Sequence, residues 1–225
     1  AFIIMNTGYK KIYSDNKLLT TICYRLNGKN TYALEGSIFI AGAGVQWLRD
    51  KLKIIDNAYE TERIAKSKKY NDGVYVVPAF SGMGAPYWRP DVRGLITGLT
   101  RNTDWKDIVR AVLESVAYQS YDLFDSMRKD GLRPKIVKVD GGMVVNNWFS
   151  QFLSDIINLN ISRPKISETT ALGVALFAGY QIGEFNSLNE IKLKWKKDRV
   201  FSPKLKKSIR NNLLNGWKLS VKKTL

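Results

Sequence analysis

The run Val137-Lys138-Val139-Asp140-Gly141-Gly142, followed shortly by Asn146-Asn147, has the residue types of a phosphate-binding junction. Two glycines at the carboxyl end of a strand let a ligand approach the backbone with no Cβ in the way. A helix opening near Asn146 would add unpaired N–H groups and a positive dipole end. A tight strand-to-helix turn that binds nothing fits the same residues equally well. The P-loop pattern G-x-x-x-x-G-K-[ST] is absent, and Gly42-Ala43-Gly44-Val45-Gln46-Trp47 matches a dinucleotide fingerprint poorly because Trp47 stands at the third glycine position. Gly42 and Gln46 nevertheless lie one helical turn apart, glycine for close approach and glutamine for polar contact, and could line the same crevice from the other side. The small-residue segment Thr169–Gly179 reads first as close helix–sheet packing, with room beside it for a flat base as the functional alternative.

Other chemistries are closed off by composition. The chain has 225 residues and no histidine, which removes the Ser-His-Asp triad, the Cys-His dyad and every His-ligated zinc site. Its one cysteine, Cys23, cannot form an internal disulfide and fits a reducing, cytoplasmic compartment. At 44% hydrophobic and 25% charged residues it can build a core, so disorder is excluded. No apolar run reaches the roughly 18–20 residues of a membrane-spanning helix. Ala1 leads straight into Phe2-Ile3-Ile4-Met5, with no basic region ahead of it, which reads as a chain cut mid-fold and not as a signal peptide. The net charge of +16 is concentrated in residues 192–225, which hold twelve lysines and arginines and one acid, Asp198. Nucleic acid or anionic lipid is one reading of that tail. The simpler one is a solvated helix face, because Leu205, Ile209, Leu213, Leu214, Trp217 and Val221 recur at three- to four-residue steps. Trp195 and Trp217 fit a core stripe better than stacking platforms.

The elements that must position these residues follow from periodicity. Phe2–Asn6, Leu19–Leu26 and Thr31–Ile38 read as three antiparallel strands, the last two joined by Asn27-Gly28. Helices are expected over Ile40–Leu52 and Ala58–Lys66, then a short strand at Val74–Val77. The glycine- and proline-rich Ala79–Arg93 has the composition of a functional loop. A strand at Leu95–Leu99 leads to a long amphipathic helix with Asp104 as N-cap and Gly131 as its stop. Strands at Lys135–Asp140 and Asn160–Arg163 alternate with helices at Asn146–Ile157 and Thr170–Gly183, and one or two helices close the chain. This order implies an α/β layer arrangement around a mixed sheet, with no linker dividing it.

Taken together, Met5-Asn6-Thr7-Gly8, Tyr32–Gly36, Ala41-Gly42 through Gln46–Asp50, Gly73–Phe80, Gly84-Ala85-Pro86-Tyr87-Trp88, Val139–Gly142, Asn146-Asn147 and Thr170–Gly173 resemble the C-terminal domain of the FGGY carbohydrate kinases. The stretch from Gly94–Leu99 to Asp107–Glu114 is similar to that family's second signature, and the likeness runs through essentially the whole chain. The loop at Gly84–Trp88 and the helix at Ala41–Asp50 look like the glycerol kinases more than the pentulose or gluconate kinases.

The resemblance implies a fold: an actin-like (ribonuclease H-like) ATPase domain over residues 1–225, its mixed sheet carrying antiparallel N-terminal strands and flanked by helices. Residue by residue it implies that Gly42, Gln46, Gly142 and Asn146 contact the nucleotide and that Phe2 packs against the carbon backbone of glycerol. It implies ATP and Mg2+ as cofactors, glycerol as acceptor, and a homo-oligomer for the full-length enzyme. It also implies an N-terminal half as partner, which would carry the catalytic aspartate. The first strand with its phosphate loop lies outside this stretch too. No residue of the chain is assigned to catalysis or to metal. The expectation is that the polypeptide does not phosphorylate glycerol unaided, and that a free strand edge near Phe2 makes it prone to association.

Overall fold

A computed structural model describes residues 1–225. The chain begins with a three-stranded antiparallel sheet, β1 (Phe2–Gly8), β2 (Leu19–Leu26) and β3 (Lys29–Ser37), in the order β1-β3-β2. The hairpin forms where expected: Asn27 and Gly28 both take positive φ, 48° and 76°, the pairing that a two-residue turn with the twist of its strands requires. Alternation decides the faces of β1. Ile3 and Met5 pack on the core, while Phe2 and Ile4 are largely exposed on the opposite face.

Helices α1 (Gly42–Asp50) and α2 (Glu60–Ser67) follow, then the two-stranded sheet of β4 (Tyr75–Val77) and β5 (Leu95–Thr97). The segment between β4 and β5 is irregular, as its glycines and prolines require. Helix α3 (Trp105–Lys129) is the central element. Asp104 accepts from the backbone N–H of Lys106 and Asp107, and the Asp107 carboxylate accepts from the Asp104 N–H, a reciprocal cap that fixes where the helix starts. A third sheet has the order β6-β7-β8: β6 (Ile136–Lys138) runs parallel to β7 (Asn160–Pro164), and β8 (Lys197–Phe201) antiparallel to it. Between β6 and β7 lies α4 (Asn147–Ile157); α5 (Thr169–Gln181) and α6 (Leu188–Lys194) precede β8, and α7 (Lys207–Thr224) closes the chain.

Buried residues from α3, α4, β7 and α7 form the main core, with Trp217, Leu214 and Val221 of α7 inside it. The basic tail is therefore a packed helix with a solvated lysine face, as its stripe implied. The mixed α/β class is as expected, the mixed and the antiparallel strands lying in separate sheets. Three expectations need correction. Residues 197–201 are a strand, although the tail reads as helix: Phe201 is buried opposite Ile161 while Lys197 to Val200 stay exposed, so the charges hide a one-residue anchor. Trp195 lies outside the core cluster, its half-buried ring under the Lys138 ammonium at 4.1 Å. α5 also departs from close helix–sheet packing, since none of its residues is buried. Its ring contact to the first sheet is Phe177 against Tyr24, with centroids 5.6 Å apart.

Candidate nucleotide site

β6 and β7 are parallel, so their carboxyl ends open on the same side, the usual place for a ligand in an α/β sheet. The Gly141-Gly142 turn leaves β6 there. Its N–H at Gly141 donates to the Ser167 carbonyl at 3.3 Å, tying it to the segment that enters α5.

The two glycines serve different ends. Gly141 sits at φ 85°, a conformation that side chains resist, so the turn itself requires it. Gly142 has no such φ, and a Cβ built on it meets no atom within 4 Å. Nothing in the protein forbids a side chain at Gly142; the open space in front of it is what a ligand would use. Gly173 in α5 is open in the same way. Gly44, by contrast, is crowded: a Cβ there would come 3.0 Å from the Val112 side chain, which would have to shift by a few tenths of an ångström.

A short 3₁₀ turn, Gly142–Val145, carries the chain from the glycines to α4. It brings three of the expected residues together. A Cβ on Gly42, the first residue of α1, would lie 3.8 Å from the Met143 side chain, and the Asn146 N–H donates to the Met143 carbonyl at 3.2 Å. Gln46 is exposed one turn along α1 from Gly42. Phe2 joins none of these contacts; its ring is 68% exposed on the edge strand β1.

The N-terminus of α4 is not vacant. Asn146 caps it, its Oδ1 accepting from the Phe149 N–H at 2.9 Å, and the Glu62 carboxylate accepts from the Asn147 N–H at 3.0 Å. A carboxylate at that spot already uses the helix dipole that the sequence offered to a phosphate. Burial pushes the Glu62 carboxyl up, but hydrogen bonds from Lys66 and from the backbone and side chain of Asn147 hold it below its ordinary value. The start of α4 is thus already taken by a carboxylate, whereas the glycine turn faces open space. Glu62 and its neighbour Thr61 were missed from the sequence because α2 reads only as a polar surface helix. The Glu-Thr-Glu at its start gives no hint of a partner 85 residues on.

On the other side of the turn, the half-buried Asp140 carboxyl is pushed up by burial and by the neighbouring Glu168 carboxylate. A separate crevice of about 390 Å³ runs between Trp47, Phe80, Arg93 and Leu95. None of the five expected residues lines it, and the glycine site is one open wall and not an enclosed cavity.

An α/β domain with an open glycine at the carboxyl end of a parallel strand has the arrangement in which α/β folds seat a ligand. The family comparison is consistent with this. The chain belongs to the FGGY family of carbohydrate kinases, whose C-terminal domain model matches residues 1–182. It is 56% identical over 220 residues to a glycerol kinase of Alteromonas mediterranea and 53% identical over 225 residues to one of Gluconobacter oxydans, covering 98% and 100% of this chain. The chain spans 44% of the length of each of these relatives, less than half. Among solved structures it superimposes on the Plasmodium falciparum glycerol kinase with ADP at a TM-score of 0.90 and 43% identity, covering 100% of this chain and 45% of that one. No helix is long and apolar enough to cross a membrane.

Proposed function

We propose that this chain is the nucleotide-binding half of an ATP-dependent kinase that phosphorylates glycerol, with Gly42, Gln46, Gly142 and Asn146 contacting the nucleotide and Phe2 the carbon backbone of glycerol. The observation that carries the reading is the open space in front of Gly142, with Gly42 and Asn146 both beside Met143 of the same turn. The named relatives supply the acceptor: both curated glycerol kinases and the ADP-containing neighbour align along nearly the whole chain.

The reaction is in-line transfer of the γ-phosphoryl group to a glycerol hydroxyl, driven by positioning and charge stabilisation. This chain's part is to seat the nucleotide, with the backbone at Gly141-Gly142 toward the phosphates and the open faces at Gly42 and Gly173 beside the base. Mg2+ would neutralise charge on the phosphates. No group of three acidic, cysteine or histidine side chains stands ready as a protein cage. The fit is to an ion brought in on the nucleotide, with Asp140 and Glu168, which crowd each other beside the turn, as its carboxylate neighbours. The general base belongs to the N-terminal half, the partner this reading requires; the assembled enzyme is a cytoplasmic homo-oligomer.

Residues 1–225 act as one domain, the burial of Trp217 beside Tyr118 of α3 joining the stretch beyond residue 182 to the rest. The free edge of β1 and the exposed Phe2 and Ile4 are where the domain's first strand and the N-terminal half would cover it. A coupled ADP-release assay with glycerol tests the reading. The chain alone is expected to show no turnover, and the chain with the N-terminal half is expected to show it. Turnover by the chain alone, or none by the pair, would refute it.

A further inference from the structure

Helix α2 grips the start of α4 by two adjacent side chains. The buried Thr61 Oγ1 accepts from Asn146 Nδ2 at 3.2 Å and donates to the Ala58 carbonyl at 2.7 Å. The Glu62 carboxylate accepts from the Asn147 N–H at 3.0 Å and from Asn147 Nδ2 at 3.3 Å. An asparagine amide has an acceptor end and a two-proton donor end that a simple flip exchanges. Here both ends are committed: Oδ1 to the Phe149 N–H and one Nδ2 proton to Thr61, leaving the second Nδ2 proton free.

We propose that Thr61 and Glu62 are positioning residues of the nucleotide site. Thr61 fixes the Asn146 amide so that it offers a donor to an acceptor atom of the ligand. Glu62, itself paired with Lys66, occupies the Asn147 N–H that a phosphate would otherwise take, so that the neutral end of the nucleotide, its base or sugar, meets α4 while the phosphates stay at the glycine turn. This rests on the nucleotide reading of Gly142 and Asn146.

The test uses the chain in its complex with the N-terminal half, titrated with fluorescent mant-ADP and competed with ADP and with adenosine. Thr61→Val is expected to weaken ADP and adenosine alike, by about tenfold, the loss of one oriented hydrogen bond, with kcat unchanged and Thr61→Ser restoring both. Glu62→Gln, which keeps the shape and removes the charge, is expected to tighten ADP several-fold and leave adenosine unchanged. Wild type that binds mant-ADP while Thr61→Val binds both ligands equally well overturns the role of Thr61. An unchanged ratio of ADP to adenosine affinity in Glu62→Gln overturns that of Glu62, and needs no Thr61 variant to fold. Wild type that binds no nucleotide overturns the site itself, and the positioning proposal with it.

Discussion

Helices α3 and α5 reverse what their sequences suggest. α3 carries charges along its length and is buried for most of it; Asp107, Arg110, Glu114 and Asp122 are all inside. α5, built from Thr169-Thr170-Ala171-Leu172-Gly173-Val174-Ala175-Leu176-Phe177, buries nothing, and Val174 is 68% exposed. The difference lies in neighbours. α3 is packed by α1, α2, α4 and β4, and partners for its polar groups come from Ala65 of α2, Trp217 of α7 and the loop residues Lys68, Asn71 and Tyr87. Arg110 Nε donates to Glu114 at 2.7 Å, and Asn71 and Tyr118 donate to the other Glu114 oxygen at 2.5 and 3.2 Å. One oxygen of Asp122 accepts from Trp217 Nε1 at 2.7 Å and from the Tyr87 hydroxyl at 2.9 Å. Such networks are tolerated inside only when complete. α5 is the converse: it borders the glycine turn and keeps a small-residue surface open, which is what a helix beside a ligand would do.

The contrast can be broken at several points. The largest effect is expected from Arg110→Met, which leaves Glu114 buried beside no cation; a loss of about 3–5 kcal/mol in denaturant unfolding is expected, much of it recovered in the double variant with Glu114→Gln. If the single variant unfolds like the wild type, the α3 network is not structural. Leu123→Ala, in the same helix and fully buried, should cost about 2–5 kcal/mol by the same measurement.

Asp122 sharpens the comparison through pH. Burial, only partly offset by the bonds from Trp217 and Tyr87, pushes its carboxyl up to about 6. In the unfolded chain the group titrates near ~3.9. The folded state therefore holds the extra proton between those values. Its stabilising contribution is full below the lower value and is lost as pH rises through the upper one, on the order of 3 kcal/mol. Asp122→Asn offers the same acceptor oxygen without the charge. Its stability curve should stay flat where the wild type falls, and a variant that still falls over that window would show another group to be responsible. The smallest effect belongs to α5: Val174→Ser should move stability by less than about 0.5 kcal/mol. A change like that of Leu123→Ala would mean that α5 is packed after all.

Local signals made much of the fold legible. The Asn27-Gly28 turn, the Asp104 cap and the α7 stripe each rest on a few adjacent residues, and each forms as read. What escaped depends on distant partners. β8 is held by Phe201 opposite Ile161, beneath a run of charges that reads as surface. The exposure of α5 could not be read from apolar residues that usually seek a core. At the site, the glycine pair was visible but the difference between its members was not, because both face open space and only the positive φ at Gly141 tells them apart. Thr61 and Glu62 escaped for the same reason as β8: their partners lie on another helix.

That empty space gives the most direct test. Gly142→Val should fold as the wild type does, since its backbone and surroundings accept a side chain. Calorimetric titration of ADP into the chain paired with the N-terminal half should show saturable binding by the wild type and its loss in Gly142→Val. Equal affinity in the two, or no heat from either well-folded complex, would contradict the account.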